Sequence, residues 1–167
     1  TMRLRNMRGG ARLKQDLATQ NGCFLCAHTE LELVESAVRD FRNTIDENGY
    51  QAFLGNSTSI TKFSDKRIGR RVAITLPNHL RPSAPSIGEQ PFMAELVDSG
   101  RWTECSVPLG ESGELITVAC FYGIAGARSN AHRASLNERL LSAGLARALT
   151  ADGPYFLFTD ANTTTTQ

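Results

Sequence analysis

The stretch 23–49, CFLCAHTELELVESAVRDFRNTIDENG, decides the fold class. It opens with Cys23 to His28, a short and almost continuous apolar run of the kind that forms a strand buried on both faces. Val34, Ala37, Val38, Phe41 and Ile45 then recur at helical spacing, Thr29 followed by Glu32 reads as a capping box, and Gly49 stands where only glycine turns easily. A buried strand running into an amphipathic helix is the start of a layered α/β protein.

Toward the N-terminus, Arg3 to Asn6 reads as the end of a strand, because Gly9-Gly10 breaks the chain soon after. Toward the C-terminus, strands are expected at Tyr50–Leu54, Arg71–Leu76, Phe92–Val97, Arg101–Val107 and Leu115–Phe121, with no helix between 50 and 121. Pro77 to Pro91 holds four of the six prolines and reads as an irregular surface loop, and Gly110-Glu111-Ser112-Gly113 as a hairpin turn. A second helix is expected from His132 to Leu149, with Leu136, Leu140, Leu141, Leu145 and Ala148 on its inner side. A last apolar strand follows, Tyr155–Phe158, ending in Thr159-Asp160-Ala161-Asn162.

The 167 residues, 41% hydrophobic and 21% charged, suit one soluble domain and exclude a disordered or collagen-like polymer. No apolar run approaches the roughly 18 to 20 residues of a membrane span, and the arginine-rich start lacks the apolar stretch of a secretory signal, so an intracellular protein without a membrane partner is expected. A net charge of +1 excludes binding to nucleic acid through bulk positive charge. The charge is nonetheless segmented, with a net +4 over 1–21, −4 over 22–59 and +4 over 60–90. Cys23 and Cys26 have C-x-x-C spacing, yet no second pair exists, so core thiols are expected instead of a zinc site.

Several polar groups stand where strands end: Asn6, Glu30 and the pair Asp160 and Asn162. Side chains at strand ends can converge on one rim of a sheet. Carboxylates with an amide oxygen nearby suit a hard divalent cation such as Mg²⁺. Each has a plain structural reading too. Glu30 complements the positive end of the following helix, Asp160-Ala161-Asn162 forms an Asx-type turn, and Tyr122 packs in the core. Gly123-Ile124-Ala125-Gly126 fits neither the dinucleotide nor the triphosphate fingerprint.

Taken in order, these pieces resemble the endonuclease/exonuclease/phosphatase superfamily, over nearly the whole chain. Leu4-Arg5-Asn6-Met7-Arg8-Gly9 is similar to its opening W-N-V-R-G strand end, with Arg5 in place of tryptophan. Ala27-His28-Thr29-Glu30-Leu31 is similar to the L-Q-E-T or L-T-E-T segment. Gly69-Arg70-Arg71-Val72-Ala73-Ile74 resembles G-G-V-A-I, Phe121-Tyr122-Gly123 resembles V-Y-G or N-Y-G, and Tyr155 to Asn162 resembles the strand ending in G-D-F-N, with Thr159 and Ala161 as departures. The helical stretch containing His132, Arg133, Asn137 and Leu140-Leu141 is similar to the R-x-x-x-N-x-L-L helix of retrotransposon-type members, with two residues instead of one ahead of the leucine pair.

The resemblance implies an incomplete four-layer α/β/β/α sandwich of mixed, largely antiparallel sheets over 1–162, truncated at its C-terminus, with an unstructured tail at 163–167. It implies Glu30 as the metal ligand for Mg²⁺, with Mn²⁺ as the alternative ion, and Asp160 as the residue that orients or activates the attacking water. Asn6 and Asn162 would orient phosphate or catalytic partners, and Tyr122 would stabilise the transition state. The activity implied is phosphodiester hydrolysis of the endonuclease type, with DNA favoured as substrate. The basic run Lys62, Lys66, Arg67, Arg70 and Arg71 is compatible with a phosphate backbone. The family's terminal S-D-H segment has no counterpart, and His28, His79 and His132 lie in the wrong places to replace it. An inactive remnant or interaction module, or a small-molecule phosphatase of the inositol-phosphate type, are the other readings. A missing C-terminal portion also implies an exposed sheet edge and apolar face.

Overall fold

A computed structural model of the chain describes residues 2–6, 25–33, 35–56, 70–84, 91–110 and 112–162. The tail 163–167, Cys23, Lys62, Lys66 and Arg67 lie outside the described residues, as do the side chains of Asn6, Glu30 and Arg70. The elements are β1 (Met2–Asn6), β2 (Leu25–Glu32), α1 (Glu35–Glu47), β3 (Tyr50–Leu54), β4 (Arg70–Pro77), α2 (Pro91–Asp98), β5 (Trp102–Leu109), β6 (Glu114–Tyr122), α3 (Ala131–Leu149) and β7 (Tyr155–Asp160).

They form two mixed sheets, ordered β1-β2-β4-β3 and β5-β6-β7. β1 runs parallel to β2 and β6 parallel to β7; the remaining pairs are antiparallel. Alternation along the strands sorts the apolar residues into three clusters. Leu25, Ala27, Val72, Ile74, Leu76, Cys105, Val118, Cys120 and Tyr122 fill the space between the sheets. Leu31, Leu33 and Ala73 meet Phe41 and Ile45 of α1 on the outer face of the first sheet. Trp102, Ala119 and Phe121 meet Met93 and Leu96 of α2 and Leu136 and Leu140 of α3 on the outer face of the second. The result is the layered α/β/β/α arrangement expected from the sequence.

Four local expectations are corrected. The segment 92–97 is not a strand but the body of α2. Met93, Leu96 and Val97 fall on one helical face, and Pro91 occupies the first helical position, where its missing N–H costs nothing. The Thr29/Glu32 capping box does not form, because β2 continues to Glu32 and α1 begins at Glu35. Leu145 of α3 is exposed; the inner line runs Leu136, Leu140, Gly144, and Gly144 is needed because a Cβ there would stand 2.8 Å from Cζ3 of Trp102. Arg71 is buried and donates to the Gly55 carbonyl (3.3 Å), so it is not part of an open basic surface. The proline-rich connection is irregular only in part. Ser83 exchanges both backbone hydrogen bonds with Ser106 and covers the edge of β5 there.

Among the described residues β1 and β7 each pair on one side only, and Phe156 of β7 is exposed. Cys26, Cys105 and Cys120 are free and buried. Burial, with the neighbouring Glu104 carboxylate, pushes the Cys105 thiol up to about 12, and burial alone raises Cys120. Both stay protonated in the folded state while the unfolded chain ionises near 9.0. Stability is therefore fully present below about pH 9 and falls as pH rises beyond it, by about 1.4 kcal/mol per pH unit for each thiol. The urea midpoint is expected to hold from pH 7 to 8.5 and drop by pH 11, with Cys120→Ala flattening the drop. A midpoint unchanged to pH 11 would contradict the assignment.

Candidate functional site

The two parallel strand pairs end at the same rim of the sandwich. Asn6, the last residue of β1, stands beside Thr29 of β2. Tyr122, the last residue of β6, stands beside Asp160, the last residue of β7. Two contacts join the two sheets. The Cys120 thiol donates to the His28 carbonyl across the core (3.7 Å). A Cβ on Gly55, beyond the end of β3, would lie 2.7 Å from the Trp102 carbonyl oxygen and 2.9 Å from Cγ2 of Val72. Val72 lies opposite the end of β2, and Trp102 pairs with Phe121, next to Tyr122.

Glu30 sits in an irregular piece of β2. Between His28 and Leu31 that strand advances three residues while β4 advances two, from Ala73 to Arg71, so Thr29 and Glu30 both stand opposite Val72. Such a bulge changes which face the following residues use. The change is visible in the core: Ala27 lies between the sheets, whereas Leu31, four residues on, lies on the helix-facing side. The backbone of Glu30 is thus at the rim but inside the strand, not just past its end as the sequence suggested.

The other half of the rim is built from hydrogen bonds. Gly123 N–H donates to the Asp160 carbonyl (2.7 Å) and continues the β6–β7 pairing one residue beyond the strands. Asn162, held at φ +49°, donates its amide to the Gly123 carbonyl (3.1 Å), which leaves the amide oxygen as its remaining acceptor. From the outer layer, Asn137 of α3 reaches both strand ends. Its Oδ1 accepts from Ile124 N–H (2.6 Å) and its Nδ2 donates to the Ala161 carbonyl (2.7 Å). The helix that carries it starts with Asn130 as N-cap, accepting from Arg133 N–H (3.0 Å). Toward its other end Arg147 pairs with the buried Glu104 carboxylate (3.0 Å), which also accepts from the Tyr155 hydroxyl (2.7 Å). α3 is thus pinned to the second sheet at both ends.

Tyr122 faces the core between the sheets and is 5% exposed, as its reading as a core residue expects. Behind it lies Arg101, also buried, with its guanidinium carbon 5.4 Å from the ring centroid. Arg101 carried no signal in the sequence, and Asn137 was marked only by the resemblance of its helix to a family motif, which gave it no role. The expected strand Arg101–Val107 began at this arginine with nothing local to mark it as buried; the path of β5 beside β6 buries it. The structure brings Tyr122, Asp160 and Asn162 together, and it places the backbones of Asn6 and Glu30 at the same rim. The histidines lie elsewhere: His28 is buried, with Nε2 2.9 Å from the Thr75 hydroxyl, and His79 and His132 are exposed.

Among the described residues no three His, Cys, Asp or Glu side chains cluster as a metal site. What the rim offers is oxygen: the Asp160 carboxylate, the fixed Asn162 amide oxygen and, by backbone position, a glutamate at 30. That is the donor chemistry of a hard cation that keeps much of its water.

No protein-family model matches the chain. No curated protein matches it either. Solved structures do. The chain superposes on ANGEL2, a 2′,3′-cyclic phosphatase in complex with adenosine-2′,3′-vanadate, with a TM-score of 0.58 at 15% identity, covering 93% of this chain and 44% of that one. The endonuclease domain of TRAS1, a telomere-specific non-LTR retrotransposon, matches with a TM-score of 0.55 at 11% identity over 99% of this chain and 60% of that domain. An endonuclease/exonuclease/phosphatase family protein from Bacteroides thetaiotaomicron matches with a TM-score of 0.54 at 14% identity over 99% and 63%. The chain spans about half the length of these structures. No helix among the described residues is long and apolar enough to cross a membrane. From its two stacked mixed sheets, its outer helices and these superpositions, the chain has the endonuclease/exonuclease/phosphatase fold.

Proposed function

We propose that the rim is the site of a phosphodiesterase of the endonuclease type, with DNA as substrate. The carrying observation is the convergence of Asp160, Asn162 and Tyr122 at the ends of one parallel strand pair, opposite the strand ends that carry Asn6 and Glu30. On this reading Asp160 orients the attacking water and takes its proton, and Asn162 and Asn6 orient the phosphate. Tyr122, rigid at the strand end, presents its phenol to the oxygen on which charge develops. Glu30, with Asp160 and Asn162 nearby, would hold Mg²⁺ or Mn²⁺, which when bound supplies positive charge for the non-bridging oxygens. The similarity to the TRAS1 endonuclease domain supports DNA, and that to ANGEL2 supports a cyclic phosphate as the second substrate class.

The family's catalytic histidine has no counterpart at this rim among the described residues, so the assay uses the longest open frame that contains the chain. Nicking of supercoiled plasmid and hydrolysis of adenosine 2′,3′-cyclic phosphate are measured with Mg²⁺, with Mn²⁺ and with chelator. Asp160→Asn and Glu30→Gln are each expected to lower the rate by about a hundredfold or more, with the fold intact. Rates unchanged in both variants would overturn the assignment. A well-folded protein that cleaves neither substrate would favour the inactive remnant or interaction module.

A further inference from the structure

We propose that Arg101 is a positioning residue for Tyr122, holding the tyrosine at the rim from behind with a buried guanidinium. This rests on the reading of the rim as a phosphodiester site and adds the group that fixes its phenol. Arg101 is 4% exposed, so it does not reach a substrate itself.

The contacts converge on one residue. The Arg101 carbonyl accepts from Tyr122 N–H (3.0 Å), and its Nη1 donates to the Tyr122 carbonyl (3.3 Å) and to the Gly123 carbonyl (2.8 Å). The guanidinium carbon stands 5.4 Å from the Tyr122 ring centroid, within reach of a cation–π contact. Tyr122 is therefore held through its amide, its carbonyl and its ring by a single neighbour. The approach of that neighbour is itself built. Ser99, after the last turn of α2, donates to the Leu96 carbonyl (2.6 Å) and accepts from Arg101 N–H (3.1 Å), and Gly100 turns the chain at φ +67°.

A merely structural strand end needs none of this. Burying a cation is costly unless hydrogen bonds and an aromatic face compensate, and an apolar side chain would close the same end of the sheet more cheaply. The arginine is placed where Tyr122 leaves the sheet. The Gly123 carbonyl it holds is the one that also accepts from Asn162 (3.1 Å), so Arg101 fixes the spacing between tyrosine and the Asp160–Asn162 turn through one shared atom. One nitrogen of the guanidinium serves both adjacent carbonyls while the delocalised plane lies against the ring, a stacking that a compact ammonium does not reproduce.

The test separates the positioning from the reading beneath it. In protein carrying ¹³C-labelled tyrosine rings, the Tyr122 signal is identified by its loss in Tyr122→Phe. Arg101→Met is expected to shift and broaden that signal and leave those of Tyr50 and Tyr155 in place. Arg101→Lys, which keeps the charge and serves if the methionine variant does not fold, moves it part of the way. Tyr122 signals identical to wild type in a folded Arg101 variant overturn the proposal. In the cleavage assay Arg101→Lys is expected to lower kcat about tenfold to a hundredfold with KM within about twofold. The double variant Arg101→Lys/Tyr122→Phe is expected to be no slower than Tyr122→Phe alone, and losses that multiply instead overturn the link. A wild-type protein that cleaves no phosphodiester removes the reading of the site, and the ring signals still decide whether Arg101 holds Tyr122.

Discussion

Gly123→Ala is expected to lower the thermal midpoint by about 10 °C and to abolish phosphodiester cleavage with it. A Cβ at this position would lie 2.2 Å from the Ala161 carbonyl oxygen, 2.5 Å from its carbon and 2.9 Å from Oδ1 of Asn137. Two of these neighbours are main chain, so no change of rotamer relieves the overlap. The strand cannot retreat either, because Gly123 N–H is bonded to the Asp160 carbonyl (2.7 Å) and its own carbonyl is held by Arg101 and Asn162. Overpacking ordinarily costs about 1–3 kcal/mol, and a clash against backbone belongs at or above the upper end. At about 2–4 °C per kcal/mol for a chain of this size, the shift is readable by calorimetry. Gly110→Asn supplies the baseline: that turn has φ +55° and open space around it, and asparagine tolerates the left-handed region. A Gly123→Ala protein that melts with wild type would show that the close approach of the two strand ends does not exist.

Asn137→Ala is expected to cost about 3 kcal/mol, read as a fall in the urea midpoint at unchanged slope. The side chain is 1% exposed, and removing it strands two buried backbone groups, the Ile124 N–H and the Ala161 carbonyl. Each such orphan costs about 1–3 kcal/mol. Asn137→Asp keeps the acceptor for Ile124 but sets a carboxylate against the Ala161 carbonyl, so most of the loss should persist. Cleavage should fall as well, because the clamp sets the distance between the chain after Tyr122 and the chain after Asp160. The two glycine and asparagine effects are not expected to add fully. Asn137 contributes one of the contacts that Gly123→Ala would overfill, yet the tighter overlap is with Ala161 and survives its removal. A midpoint within experimental error of wild type for Asn137→Ala would mean that the clamp bears no load.

Much of the architecture was legible because it rests on local periodicity. β3 falls at Tyr50–Leu54 as read, α3 at Ala131–Leu149 within a residue of the expected start, and α1 stops at Glu47, two residues before Gly49 turns the chain at φ +74°. The failures have physical causes. Phe92 to Val97 is apolar at five of six positions, so period 2 and period 3.6 fit it equally, and only the faces of Trp102 and α3 select the helix. At 29–32 the capping-box spacing was present, but residues bonded into a sheet cannot also begin a helix; β1 pairs with β2 as far as Thr29 and β4 carries the pairing to Glu32.

The sequence by itself determined the layered α/β class, the positions of most strands and which polar residues stand near strand ends, because alternation, helical spacing and turn glycines act between neighbours a few residues apart. Only the tertiary structure decided that the backbones of Asn6 and Glu30 lie at the same rim as Tyr122, Asp160 and Asn162, that a bulge doubles Thr29 and Glu30 against Val72, and that Arg101 and Asn137 hold the second sheet's strand ends together. Those facts depend on the register between strands far apart in the chain, and register is fixed by how the buried faces interlock, which no local pattern records.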